Sequence, residues 1–236
     1  MLVNLMIRSF EKFKPDDISI NYIIVENSSD ITYKDRILSL ADSITWVSNP
    51  TALVNSAANA IGIEVGLKYA SSEYVFMSHC DTFVTNKSLI PSLVHKVDEG
   101  FELVGTVLDP CRINAVHQSG MLVSADLARS VNLYPIHSNG QMTHDVCDTI
   151  TQRCRDENIK HTCFRNTFNS PELVDIVKNP FKAFHVDRSI DDSDNVMFMH
   201  LGRGIPKQFN QYKKPNRVYF PQWVEFCNKI LEKHSE

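Results

Sequence analysis

Apolar positions along this chain recur at two periods, one suited to helices and one to short buried strands. In residues 2–13, Leu2, Leu5, Met6 and Phe13 fall at helical spacing, and Pro15 with Asp16 and Asp17 ends the segment. Residues 20–25 (INYIIV) are a β-rich run closed by the polar turn 26–30, and 44–47 is a second short strand ended by Ser48, Asn49 and Pro50. Ala58, Ile61, Gly62, Val65 and Tyr69 mark one face of a helix from Asn55 to Tyr69. Ser71 and Ser72 stop it, 74–77 (YVFM) follows as a buried strand, and the polar group 78–82 (SHCDT) lies at that strand's carboxyl end.

Further along, Asn86 is placed to cap a helix with Leu89, Ile90, Leu93, Val94 and Val97 on its inner side. Residues 102–108 read as a strand, and Ser124 caps a short helix running to 133. Residues 145–158 predict a helix with Val146, Ile150 and Cys154 on one face, followed by a strand at 159–164. The acidic stretch 187–195 reads as a turn, 196–199 (VMFM) as a strand entering His200-Leu201-Gly202-Arg203-Gly204, and 222–233 as a last helix. Alternating helices and strands predict an α/β fold with a mixed, mainly parallel sheet flanked by helices, in which 20–25, 44–47 and 74–77 are neighbours. Ligands of such sheets bind beyond the carboxyl ends of the strands. Glu26 and Asp81 are therefore expected at one edge, lining one cleft.

The 236 residues carry no repeat or Gly/Ser linker and suit one domain, and a hydrophobic fraction of 43% excludes a disordered chain. A net charge of -4, from 24 basic and 28 acidic side chains, argues against a general nucleic-acid binder. No apolar run approaches the roughly 20 residues that span a bilayer, and charges interrupt the first 14 residues, so neither a span nor a signal peptide is expected. The six cysteines form no C-x-x-C pair and read as small buried hydrophobes in a reducing compartment, which points to the cytoplasm.

Asp81 is the strongest chemical candidate, because a carboxylate at a strand tip can hold a divalent metal on a diphosphate; the plain alternative is a turn cap. His200 ends a strand before a glycine-rich turn, where imidazole can ligate metal, exposed N–H groups can meet phosphate and Arg203 can pair with it. His144 and Asp145 open the predicted helix, where Asp145 is either its cap or a general base. The Asp cluster 187–194 reads as a solvated turn rather than a calcium loop.

These residues resemble the family-2 inverting glycosyltransferases of GT-A fold. IIVENSSD (23–30) is similar to that family's strand and turn, and residues 55–82 to its helix, strand and D-x-D block, with Asn59 and Tyr74 in place. SGMLVSADL (119–127), the pair His144-Asp145 and the histidine of FMHLGRG (198–204) follow in order. The resemblance spans roughly residues 1–205 and implies one GT-A-like domain: a nucleotide-binding half (1–110), an acceptor half (111–205) and a C-terminal extension (206–236). It further implies that Glu26 and Asn27 contact the nucleotide, together with Asn59, His79 and Arg203. Asp81 and His200 would hold manganese or magnesium, and Asp145 would be the acceptor base. The partners implied are a nucleotide-sugar donor and a carbohydrate or glycoconjugate acceptor, as in polysaccharide biosynthesis. Three departures stand out. His79 replaces the first Asp of D-x-D, His144 replaces the first acid of the pair, and the family's opening strand is missing unless residues 2–7 substitute for it. A catalytically impaired GT-A-like binding module and a sugar nucleotidyltransferase are the rival expectations, the latter lacking an N-terminal phosphate loop. Residues 201–210 are expected to form a lid over diphosphate.

Overall fold

A computed structural model of the protein describes residues 1–183, 186–202 and 220–233. The chain opens with helix α1 (Leu2–Phe13), then strand β1 (Tyr22–Glu26), α2 (Lys34–Leu38) and β2 (Ile44–Ser48). Helix α3 (Asn55–Tyr69) leads to β3 (Tyr74–Ser78), β4 (Thr82–Val84), α4 (Leu89–Asp98), β5 (Leu103–Gly105), β6 (Leu108–Asp109) and β7 (Ala115–Val116). Then come β8 (Gly120–Ser124), α5 (Ala125–Arg129), β9 (Ile136–Ser138), β10 (Gln141–His144), α6 (Asp148–Asp156), β11 (His161–Cys163) and β12 (Arg165–Asn166). Strands β13 (Asp187–Ile190) and β14 (Val196–His200) form a hairpin, and α7 (Phe220–Lys233) ends the described chain. Among the described residues no helix is long and apolar enough to cross a membrane.

Two four-stranded sheets organise the protein. One has the order β11-β5-β8-β3, with β11 parallel to β5 and β8 antiparallel to both of its neighbours. The other, β12-β13-β14-β4, is antiparallel throughout. The first sheet alternates its side chains between two cores, as the two-residue period of a strand requires. On β8, Met121 and Val123 join Ala60, Leu127, Val146 and Ile150, whereas Leu122 packs with Phe10, Phe198 and Leu93 on the opposite face. Both cores draw on residues before and after 110, so the expected halves 1–110 and 111–205 are interleaved in space.

The expectation of a mainly parallel sheet is corrected by the pairing. Among the described strands only β1–β2 and β5–β11 are parallel; the local pairs β6–β7 and β9–β10, the strands around β13 and β14, and the reversed β8 make the other ladders antiparallel. The expected row of 20–25, 44–47 and 74–77 is also interrupted. β1 pairs with β2 and β3 with β8, and the remaining edges of β1 and β3 line a common cavity of about 800 Å³ instead of pairing. Helix α3 contributes Gly62, Ile63 and Gly66 to this cavity, while α1 contributes Met6 and Phe10. Residues 2–7 are helical and supply no strand.

Several helix faces depart from the sequence expectation. On α3 the buried positions are Ala60 and Leu67, while Tyr69 is exposed. On α4, Leu89 and Leu93 are buried but Val94 faces solvent. Helix α6 begins at Asp148, three residues later than expected, and buries Ile150 and Cys154, while Val146 is buried just before it. Ser124 caps α5 as expected, accepting the Leu127 N–H at 3.2 Å.

Candidate functional site

The register of the antiparallel sheet assembles the site. His200, the last residue of β14, stands opposite Thr82 of β4 on one side and Asp187 of β13 on the other. Between β3 and β4 the chain turns through 79–81, and the turn is pinned by Thr82 Oγ1, which donates to the His79 carbonyl at 2.8 Å and lies 2.7 Å from Ser78 Oγ. Asp81 is drawn onto the end of β14: its carbonyl accepts the Leu201 N–H at 2.9 Å and its Oδ2 the Gly202 N–H at 2.8 Å. Gly202 has φ +38, and a Cβ there would come within 2.6 Å of the His200 ring, so this close turn requires glycine.

Asp81 Oδ1 then lies 3.7 Å from His200 Nε2 and 3.9 Å from His79 Nδ1. One ligand-type atom from each of His79, Asp81 and His200 is within 4.8 Å of the others. Each imidazole is oriented from behind. His200 Nδ1 is 3.3 Å from Asp187 Oδ2, so a proton held there leaves Nε2 with its lone pair facing Asp81. His79 Nε2 lies 2.8 Å from the Asn59 side-chain amide. With the amide nitrogen donating to Nε2, a neutral His79 carries its proton on Nδ1 toward Asp81, and Nδ1 becomes a metal donor when the amide turns to present its oxygen to Nε2–H. Two imidazoles and one carboxylate, each with an outer partner, fit a divalent metal of the manganese-to-zinc series.

A third imidazole, His117 in the turn between β7 and β8, completes the group. Its ring centroid is 5.2 Å from that of His200 and 5.6 Å from that of His79. Its Nδ1 accepts the Ser119 N–H at 3.2 Å and lies 2.8 Å from Ser119 Oγ. Burial, then the neighbouring His200 and His79, hold its pKa well below the usual histidine value, and Arg112 acts in the same direction.

Glu26 and Asp81 do not share one sheet and neither lines the cavity, because β1 and β3 belong to different sheets, but the carboxyl ends of those strands are adjacent. Asn27, just past β1, donates to the Ala58 carbonyl at 2.7 Å, and the next residue on α3, Asn59, contacts His79 just past β3. Successive residues of one helical turn thus hold the carboxyl ends of β1 and β3 side by side. Cys80 is exposed as a residue, yet crowding around its sulfur, and then the charges of Asp81 and Glu26, push its thiol up to about 11. Glu26 folds back to accept the Ser28 N–H at 2.7 Å. Asn27 commits its whole amide to the framework, its Oδ1 accepting from Asn49 at 2.9 Å. Asn59 serves His79 and lines the large cavity with Asn27, Ser78, His79 and Gln118.

Asp145 belongs to a separate cluster. Its Oδ2 is 3.4 Å from Arg112 Nη2, and Arg112 also binds Asp109 at 2.8 Å and Asp148 at 3.3 Å. It does not cap α6, because that helix begins at Asp148, whose Oδ2 accepts the Asp145 N–H at 2.7 Å. Burial pushes the Asp148 carboxyl up. Arg203 and most of the expected lid, 203–210, lie outside the described residues.

The acidic stretch 187–195 is also corrected. Asp187–Ile190 is a strand buried along its whole length, and only Asp191 through Asn195 make the turn, with Asp191 Oδ1 accepting the N–H groups of Ser193 and Asn195. Asp187 and His117 are the functional candidates that residue patterns missed. Asp187 was hidden in a charge-rich run, and His117 follows a strand of only two residues, Ala115–Val116, too short to show as an apolar run. No protein-family profile and no curated protein matches this chain.

Proposed function

We propose that this chain is a metal-assisted, inverting glycosyltransferase that moves a sugar from a nucleotide-sugar donor to a hydroxyl of a carbohydrate or glycoconjugate acceptor. The observation that carries the proposal is the convergence of His79, Asp81 and His200, with one ligand-type atom of each within 4.8 Å of the others, beside a cavity of about 800 Å³. Asp81 Oδ1, His200 Nε2 and His79 Nδ1 are the donor atoms, since Asp81 Oδ2 is engaged by Gly202. A manganese ion held there would supply Lewis-acid neutralisation of the departing nucleoside diphosphate, whereas two imidazoles do not suit magnesium, which prefers oxygen ligands. Glu26, at the end of β1, would meet the base or ribose, and Arg203, next to Gly202 in sequence, the diphosphate. Asn27 and Asn59 serve by holding the wall and His79. Asp145 takes the acceptor proton, a role that requires Arg112 to release part of its hold. A cytoplasmic place in polysaccharide assembly belongs to the same proposal.

Isothermal calorimetry with uridine or guanosine diphosphate and manganese tests it. Asp81→Ala is expected to abolish metal-dependent nucleotide binding while circular dichroism stays unchanged. Unchanged affinity would reduce Asp81 to a turn residue. One observation favours a second reading, a nucleotide-sugar-binding module without turnover: the ion pair of Asp145 with Arg112 occupies the base. Manganese-dependent donor hydrolysis or transfer separates the two, because a module binds donor without consuming it.

A further inference from the structure

His117 is the one imidazole of the group whose proton position is fixed by the backbone. A main-chain N–H can only donate, so the Ser119 N–H at 3.2 Å makes His117 Nδ1 an acceptor. The Ser119 hydroxyl, 2.8 Å from the same nitrogen, then has its own proton to give. With Nδ1 accepting, a neutral His117 carries its proton on Nε2 and has no lone pair to offer there. Its ring nevertheless packs against both His79 and His200, and among the described residues Nε2 has no hydrogen-bond acceptor. A ring that cannot ligate but stands against two rings that can is suited to donate a hydrogen bond to whatever occupies the site with the metal.

We propose that His117 is a neutral Nε2–H donor to an oxygen of the phosphoryl ligand at the His79–Asp81–His200 centre, and not a fourth metal ligand. This rests on the metal and diphosphate assignment given above. His117 would bind the ligand through its N–H and leave the affinity for the metal itself to the other three side chains. A neutral donor leaves the charge of the site unchanged, so the two-imidazole, one-carboxylate set keeps its net charge for the cation.

Two measurements test it. The first is nitrogen-15 NMR of the histidine rings in the metal-free protein at pH 7.5, where His117 is expected as the neutral Nε2–H tautomer. A protonated Nδ1 in the neutral ring, or a charged ring, overturns the proposal whatever the site binds. The second is calorimetry with manganese alone, then with inorganic pyrophosphate at saturating manganese, on the wild type, His117→Ala and His117→Gln. The expected result is manganese affinity within about twofold in all three, pyrophosphate affinity lowered about tenfold or more in His117→Ala, and part of it regained in His117→Gln, whose amide can still donate. Loss of manganese affinity in His117→Ala would make His117 a ligand, and unchanged pyrophosphate affinity would remove its role; either result overturns the proposal. Wild-type protein that binds no manganese overturns the metal assignment itself and the donor role with it, and the NMR result then still reports the tautomer separately. If His117→Ala loses its cooperative melt, His117→Gln carries the comparison.

Discussion

Asp187 Oδ2 lies 3.3 Å from one nitrogen of His200 while the other faces Asp81, so under the proposed metal assignment Asp187, itself no ligand, would set the direction of His200. Asp187→Asn keeps the volume and removes the charge. It is expected to lower manganese affinity about 10- to 100-fold, the range seen when an outer partner of a metal-bound histidine is lost, with little change in the melting temperature. Calorimetry beside a thermal melt checks both halves. Gly120 makes the opposite kind of test, of packing alone. A Cβ there would lie 1.9 Å from Thr106 Oγ1 and 2.9 Å from a Phe198 ring carbon, in a wall already filled on both faces. Gly120→Ala is expected to destabilise the protein by about 1–3 kcal/mol, the usual cost of overpacking, read as a lower denaturation midpoint; an unchanged midpoint would mean that the β8 wall yields easily. Asp81 and His200 were legible in the sequence because each follows an apolar strand at its carboxyl end. Asp145 was legible only as an acid near a helix start, and the guanidinium that engages it comes from Arg112, 33 positions earlier, beyond the reach of any local pattern.

The elements themselves followed largely from periodicity. Helices α1 and α3 fall where apolar spacing and stop residues put them, and β1, β2, β3 and β14 agree within a residue or two. Pairing did not follow, since an isolated apolar run carries no record of its neighbour or its direction. The edges of β1 and β3 that border the cavity show the consequence. About half the amides of a strand point to each edge, and those on an unpaired edge lack a ladder acceptor. Native-state hydrogen exchange is therefore expected to be fast at alternate amides of Tyr22–Glu26 and Tyr74–Ser78, and slow throughout Gly120–Ser124, which is paired on both sides by β3 and β5. Uniform protection along β1 and β3 would show that their cavity-facing edges are paired in solution. The β13–β14 hairpin is the element the sequence concealed. Its first strand begins with Asp187 and a buried arginine, Arg188, whose guanidinium donates to the carbonyls of Phe181 and Val186, so composition alone labels it as solvated.

For the molecule as a whole, the cluster of imidazoles ties stability to pH. The His117 pKa is lowered in the fold by burial, with His200, His79 and Arg112 adding to the effect and Asp187 opposing it. A lowered folded value means that above about pH 6.5, the ordinary histidine value, both states are neutral at this ring and the stability is fully present. As pH falls below that, the unfolded chain takes up a proton that the folded chain refuses, and stability is lost by up to about 1.4 kcal/mol per pH unit from this group. The metal-free protein is expected to melt at a lower temperature at pH 5 than at pH 7, with a shallower decline in His117→Gln; equal slopes in the two proteins would remove His117 as the cause. What the sequence determined by itself is local: which segments are helical or extended, where strands end in polar turns, and that Asp81 and His200 sit at such ends, because side-chain periodicity and turn chemistry act over a few residues. Only the tertiary structure decided that Asp187, His117 and Asn59 stand around that pair, that Arg112 engages Asp145, and that β1 and β3 border a cavity instead of each other. Those facts depend on strand register and on contacts between residues up to 121 positions apart, as Asp81 and Gly202 are, and register is set by the packing of whole sheets.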